Sequence, residues 1–227
     1  MKDSLGDRMK ANYENISRFK LIRRTPVIMR LDGKAFHTLT RKIEKPYSED
    51  LRSIMIDTAS TVLKEVQGSK CAYVQSDEIS ILITDFDTLT TDAWFDYNIQ
   101  KMVSVSAGIA SAYFSLHYNE KVTVFDSRVF NIPKEEVCNY FIWRQQDWIR
   151  NSVRMLAQAH FSHKELDGKN IQMMHEMLYS KDINWNNINP KWKNGTFIDG
   201  KEHNIVEDVI FTQNRGIIEK YLTPIEE

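Results

Sequence analysis

Two stretches of this chain carry carboxylates where chemistry could be done. The first is Arg30-Leu31-Asp32-Gly33, where a strand-like run from Val27 to Leu31 stops at an acid and a glycine. The second is Gln75-Ser76-Asp77-Glu78-Ile79-Ser80-Ile81-Leu82-Ile83, where a run that reads as a buried strand begins with two adjacent acids. Acidic side chains that converge repel each other unless a cation lies between them, and hard oxygen ligands select Mg²⁺ or Mn²⁺. Mg²⁺ usually keeps waters and recruits substrate phosphates. A pair of such ions, about 3.5–4 Å apart, stabilises both attacking and leaving oxygens in phosphoryl transfer. Asp32 and Asp77 are the candidate ligands, with Glu78 a third carboxylate. Each stretch also has a plainer reading: Asp-Gly after a strand is a common turn signal, and Ser-Asp-Glu fits a polar hairpin tip.

The elements around these residues decide whether they can meet. Residues 1–24 read as helical, Val27–Leu31 as a strand, and Ser48 to Val66 as an amphipathic helix. Its Leu51, Ile54, Met55, Thr58, Val62 and Val66 recur at i, i+3 and i+4 spacing, behind Ser48 as N-cap. Cys71–Gln75 and Ile79–Thr84 read as strands flanking the acidic turn. A second long helix is expected over Asp92–His117, with its small-residue middle (residues 104–112) in the core, then a strand over Val122–Ile132. The order strand, helix, strand, strand, helix, strand is that of a ferredoxin-like α+β sheet, β-α-β-β-α-β. A helical crossover makes the first two strands parallel, so Asp32 and Asp77 fall on one edge. Ligands of open α/β sheets tend to sit beyond such strand ends. Residues 134–160 read as a further long helix, followed by a polar tail of short elements. We therefore divide the chain into a palm-like core over 1–133 and a helical extension over 134–227.

Composition bounds the class. The 227 residues are 42% hydrophobic and 11% aromatic, enough for a sizeable core, and the formal net charge is −1. A neutral balance does not advertise a nucleic-acid binder, although a local basic face suffices to bind phosphates. The two cysteines, Cys71 and Cys138, support neither a disulfide framework nor a zinc site. No export signal is read at the N-terminus and no run approaches the ~18 apolar residues of a membrane span. A soluble, cytoplasmic protein without a membrane partner is expected.

The residues themselves are more specific than the topology. Arg30-Leu31-Asp32-Gly33-Lys34-Ala35-Phe36-His37, then Lys45-Pro46, then Gln75-Ser76-Asp77-Glu78 resemble successive motifs of the tRNA(His) guanylyltransferase family. Phe125-Asp126-Ser127-Arg128-Val129 and Trp143-Arg144-Gln145-Gln146-Asp147 extend the likeness, which covers about residues 5–195. The resemblance implies a polymerase-type palm that adds nucleotides to the 5′ end of RNA. It implies two Mg²⁺ ions on Asp32, Asp77 and the Gly33 carbonyl, with Ser76 and Glu78 in the same site. Residues Gly33, Lys34, Ala35, Phe36 and His37 would line the nucleotide pocket, with Lys34 and His37 near the triphosphate. Lys45 and Lys101 would neutralise phosphates of ATP, GTP or another nucleoside triphosphate. A homotetramer with tRNA crossing subunits belongs to the same implication. Plainer readings stand beside these: a solvated Lys45, and a packed or helix-capping His37.

One segment departs from the pattern. Members that add guanylate to tRNA(His) carry His-Ile-Asn-x-Leu-Tyr-Asn after the Arg-Gln-x-Asp segment. Here residues 149–155 read Ile-Arg-Asn-Ser-Val-Arg-Met, and only Asn151 is kept. That points to the guanylyltransferase-like branch, whose members resemble template-dependent 3′–5′ polymerases repairing 5′-truncated tRNA. Such enzymes first activate a 5′-monophosphate with ATP. Arg144, Arg150, Asn151, Arg154 and Lys164, with Trp143, Trp148 and Phe161 between them, suit RNA backbone contact and stacking, and Lys169 is a further phosphate contact. The same helix also reads as an amphipathic packing helix with solvated charges. A palm-type nucleotidyl cyclase and a non-catalytic RNA-binding palm are the competing functions.

Overall fold

The computed structural model describes residues 4–118, 121–200, 202 and 204–223. Six strands form one sheet: β1 (Val27–Gly33), β2 (Ser69–Gln75), β3 (Glu78–Ile83), β4 (Phe125–Asn131), β5 (Thr196–Asp199) and β6 (Asn204–Val206), in the order β4-β1-β3-β2-β5-β6. Every neighbouring pair is antiparallel. Because β3 lies between β1 and β2, those two run parallel, as the crossover requires. The expected α+β palm is present. The edge beyond β2 is covered by β5 and β6, two strands from the part read as helical extension.

Side chains alternate across each strand, and both faces are covered. Val27, Met29, Leu31, Ile79, Ile81 and Ile83 face α1 (Glu49–Glu65) and α2 (Ile99–His117), joining Met55, Ala59, Val62, Met102, Ala110 and Phe114 in one core. Ile28, Cys71, Tyr73, Leu82 and Phe197 face α3 (Lys134–His160), where Val137, Phe141 and Phe211 complete a second core. Two-sided burial explains why β1 and β3 read as unbroken apolar runs. A third cluster joins Val153, Leu156 and Ala157 of α3 to α4 (Ile171–Tyr179) through Met174 and Leu178.

Ser48 caps α1, its Oγ accepting from the Leu51 N–H at 3.3 Å. The second helix begins at Ile99, later than expected. Asn98 caps it by accepting from Lys101 N–H at 3.0 Å, while Phe95, Asp96 and Tyr97 before it hold left-handed backbone. That loop is tied down by buried Asp85, which accepts from Arg23 Nε at 2.6 Å and from Arg24 N–H at 2.9 Å. Only one stripe of α2 is core: Ser106 and Ala110 are buried, whereas Ser104, Gly108 and Ala112 face outward. The helix read over 1–24 is present over Ser4–Ser17 as three consecutive helical pieces, and the chain is not helical from Arg18 to Thr25, with residues 1–3 outside the described set. Among the described residues no helix is long and apolar enough to cross a membrane.

Candidate active site

The β2–β3 connection is a two-residue turn made of Ser76 and Asp77, with Ser76 at φ 49°. A tight hairpin of this kind needs left-handed backbone, which a short polar residue tolerates. The turn is stitched to the end of β1 by a hydrogen bond from Gly33 N–H to the Asp77 carbonyl at 3.1 Å. Asp32 sits opposite Glu78 on one side and Asp126 on the other. Two acids 45 positions apart thus reach one sheet edge, as the topology predicted. Gly33 has no room for a side chain, since a Cβ there would lie 2.2 Å from the Phe36 ring. Phe36 itself is buried against Phe114 and Phe125, so only its backbone is left for a ligand.

A cleft of about 390 Å³ opens at this edge, and Asp32, Ser76, Asp77, Glu78, Asn151 and Arg154 all line it. Burial and then the Asp32 charge push the Asp77 carboxyl up to about 6. Asp32 is also raised, by burial and by the charges of Glu78 and Asp126. Neither carboxylate pairs with a cationic side chain among the described residues. Glu78 differs: it is 7% exposed, and Arg144, at 8%, donates to both its oxygens at 2.7 Å. Gln75 Nε2 adds a third hydrogen bond to Glu78 at 3.0 Å.

Arg144 was expected on RNA and is instead committed inward, its Nη2 also reaching Asp147 at 3.1 Å. A signal for this was present: Val137, Phe141, Arg144 and Trp148 form one buried stripe of α3, spaced four, three and four. Gln145 was also missed. Its Nε2 donates to the carbonyls of Asn194 (2.9 Å) and Val209 (2.7 Å), and its Oε1 accepts from Phe211 N–H (3.0 Å), strapping the C-terminal segment down. Arg150 is exposed and pairs with Asp147 at 3.2 Å, whereas Lys164 and Lys169 are exposed beyond the end of α3. Lys34, His37, Lys45 and Lys101 are exposed and lie outside the cleft lining. Lys45 Nζ donates to the Thr40 carbonyl at 3.1 Å, and Lys101 Nζ sits 5.7 Å from the Phe95 ring centre. Ala35 holds left-handed backbone at φ 58°, starting the short helix Phe36–Leu39.

Comparison with known proteins fits this geometry. The tRNAHis guanylyltransferase family model matches residues 6–133. An uncharacterized protein of Acanthamoeba polyphaga mimivirus is 28% identical over 85% of this chain and 75% of its own length. The tRNA(His) guanylyltransferase of Debaryomyces hansenii is 26% identical over 83% of this chain and 80% of its own. Among solved structures, a bacterial tRNA(His) guanylyltransferase-like protein in complex with ATP superposes with a TM-score of 0.92 at 43% identity, covering 96% of this chain and 99% of that one. A bacterial protein of the same description in complex with GTP gives 0.85 at 40% identity, over 97% and 99%. With more than half of its length inside the family model, this chain belongs to the tRNA(His) guanylyltransferase family of nucleotidyltransferases.

Proposed function

We propose that the protein extends the 5′ end of tRNA in the 3′–5′ direction, copying the opposing strand, after ATP-dependent activation of a 5′-monophosphate. The observation that carries this reading is the joining of Asp32 and Asp77 at one sheet edge, with no ion pair to either carboxylate among the described residues. Among the described residues no three His, Cys, Asp or Glu side chains form a closed metal cage. Mg²⁺ does not need one, because one or two carboxylates, waters and substrate phosphates complete its shell. Asp32, Asp77 and the Gly33 carbonyl fit that donor set. Bound Mg²⁺ would lower the pKa of an attacking 3′-hydroxyl and neutralise charge on the phosphates.

The chain's own groups supply the rest of the reaction. The backbone of residues 33–37 and Ser76 would orient the nucleotide. Lys34, Lys45 and Lys101 have no carboxylate partners among the described residues, leaving their charge for the triphosphate, and exposed His37 would offer it a hydrogen-bonding ring. Attack by the 3′-hydroxyl on the activated 5′ phosphate forms the new phosphodiester. It expels AMP from an adenylylated end, or pyrophosphate from a 5′-triphosphate. Glu78, locked by Arg144, would act by holding the hairpin that carries Asp77. Residues 1–133 would hold the chemistry, and 134–227 would present Arg150, Asn151, Arg154, Lys164 and Lys169 to RNA. Assembly as a homotetramer belongs to the same reading.

The curated relatives named for tRNA(His) support a second reading, addition of guanylate to full-length tRNA(His). The loss of all but Asn151 from the His-Ile-Asn-x-Leu-Tyr-Asn motif favours the first. A tRNA lacking its first 5′ nucleotide, incubated with Mg²⁺, ATP and each nucleotide in turn, separates them. Extension only by the nucleotide complementary to the opposing strand supports templated repair. Guanylate addition confined to intact tRNA(His) overturns it.

A further inference from the structure

Asp147 sits where the two halves of the site meet. On α3, Arg144, Asp147, Asn151, Arg154 and Gln158 follow one another at three- and four-residue spacing, and all five line the cleft that holds Asp32 and Asp77. Asp147 is the acid of that stripe. An acid beside a cleft that takes phosphates repels its ligand unless cations neutralise it.

Its hydrogen bonds do so. Oδ2 accepts from Arg144 Nη2 at 3.1 Å and from Asn151 Nδ2 at 3.4 Å, and Oδ1 accepts from Arg150 Nη2 at 3.2 Å. Both oxygens are thus occupied by side chains of the same helix. Arg144 continues the row inward, since its Nη2 also reaches Glu78 Oε2 and its Nε reaches Glu78 Oε1, each at 2.7 Å. The Trp143 ring centre, 4.5 Å from the Arg144 guanidinium, braces it from the side. Glu78 follows Asp77 directly in the chain. A continuous row of charge-assisted hydrogen bonds therefore runs from the acidic hairpin through Arg144 and Asp147 to Arg150 and Asn151.

We propose that Asp147 is a positioning residue for the transfer. It holds Arg150 and Asn151 in the orientation that seats the RNA 5′ phosphate, and ties both to the hairpin that carries Asp77. The inference rests on the nucleotidyl-transfer reading above and adds a residue to it. An arginine ordered in advance loses less freedom when the phosphate arrives. The groups that grip RNA and those that hold the reacting centre then keep one spacing, on which productive attack depends.

Asp147→Asn tests this, because charge alone and positioning predict different results. Removing an acid beside the RNA should, by charge alone, tighten RNA binding and leave the rate at saturating RNA unchanged. Loss of positioning should instead slow single-turnover extension of a 5′-triphosphorylated, 5′-truncated tRNA about tenfold at saturating RNA. The half-saturating RNA concentration should not rise, and the Mg²⁺ and nucleotide requirements should stay at wild-type values. In an Arg150→Ala, Asn151→Ala background, Asp147→Asn should slow the reaction less than about twofold further, because Asp147 acts through those two side chains. An unchanged rate at saturation, a raised Mg²⁺ requirement, or losses that multiply in the triple variant each overturn the proposal. If Asp147→Asn does not fold, the Arg150→Ala, Asn151→Ala variant decides: a wild-type rate at saturating RNA overturns the proposal, and the same tenfold fall supports it. Failure of the nucleotidyl-transfer reading looks different: wild-type protein then extends no 5′ end, whatever it binds.

Discussion

At the scale of single residues, the acidic edge holds carboxylates whose charge is penalised first by burial and then by their neighbours. Asp77 titrates near 6 in the folded chain against an ordinary 3.8, so the folded state binds more protons between those values. Stability of the metal-free protein therefore falls as pH rises through that window, the reverse of a salt-bridged acid. Asp77→Asn removes the buried charge and with it the repulsion from Asp32. In thermal melts with a chelator it should unfold about 2–6 °C above wild type at pH 7–8, with the gap closing by pH 4. An unchanged or lower melting temperature at pH 7–8 argues against a buried, charge-crowded Asp77. The Arg144–Glu78 pair has the opposite character, two buried charges that satisfy each other. Arg144→Leu leaves Glu78 buried without its counter-ion and should cost about 3 kcal/mol or more in urea unfolding, much of it recovered in the Arg144→Leu, Glu78→Leu double variant. If Arg144→Leu weakens RNA binding and leaves stability untouched, the inward role is wrong.

At the scale of elements, what the sequence revealed was what local physics decides. The apolar period of α1 and its Ser48 cap, the acid-tipped hairpin and the crossover that makes β1 and β2 parallel were all readable. The late start of α2 was not, because the left-handed Phe95–Tyr97 segment ends a loop that Asp85 pins to Arg23 and Arg24, more than 60 positions earlier. β5 and β6 escaped for the same kind of reason: strands of four and three residues gain pairing only where β2 leaves an edge. Arg144 escaped because residue type was weighed above its place on a buried stripe. Asn98→Ala removes the cap of α2 and should lower stability by about 1 kcal/mol in chemical denaturation. Gln145→Leu strands the Val209 carbonyl and the Phe211 N–H and leaves the Asn194 carbonyl to the Tyr73 hydroxyl alone. It should cost about 2–4 kcal/mol and open residues 194–211 to limited proteolysis. Protease resistance equal to wild type would mean the strap is redundant.

At the scale of the whole molecule, a sheet whose central strands are buried on both faces is a rigid platform, and the cleft opens at its polar end. One face of α3 closes the cores and locks Glu78. Arg150 lies on its exposed side, Arg154 lines the cleft, and Lys164 and Lys169 follow beyond its end. If RNA lies along this surface, Arg154→Ala and Lys169→Ala should each weaken tRNA binding. Each should also reduce the slope of log affinity against log salt by about 0.7–0.9, the release of one phosphate contact. An unchanged slope in both would move the RNA elsewhere. Arg144→Lys offers a contrast, since a buried arginine contributes nothing to that slope.

The central claim is that Asp32 and Asp77 together form the transferring site. Its most direct test is single-turnover nucleotide addition to a 5′-triphosphorylated, 5′-truncated tRNA, which needs no prior activation. Wild type, Asp32→Asn and Asp77→Asn are compared at saturating Mg²⁺, each verified as folded by its melt. The account predicts templated extension by wild type and a loss of about a hundredfold or more in each variant, roughly the effect of losing one transition-state charge contact. Near-wild-type rates in either variant would contradict it and send the search for the reacting centre elsewhere on the sheet.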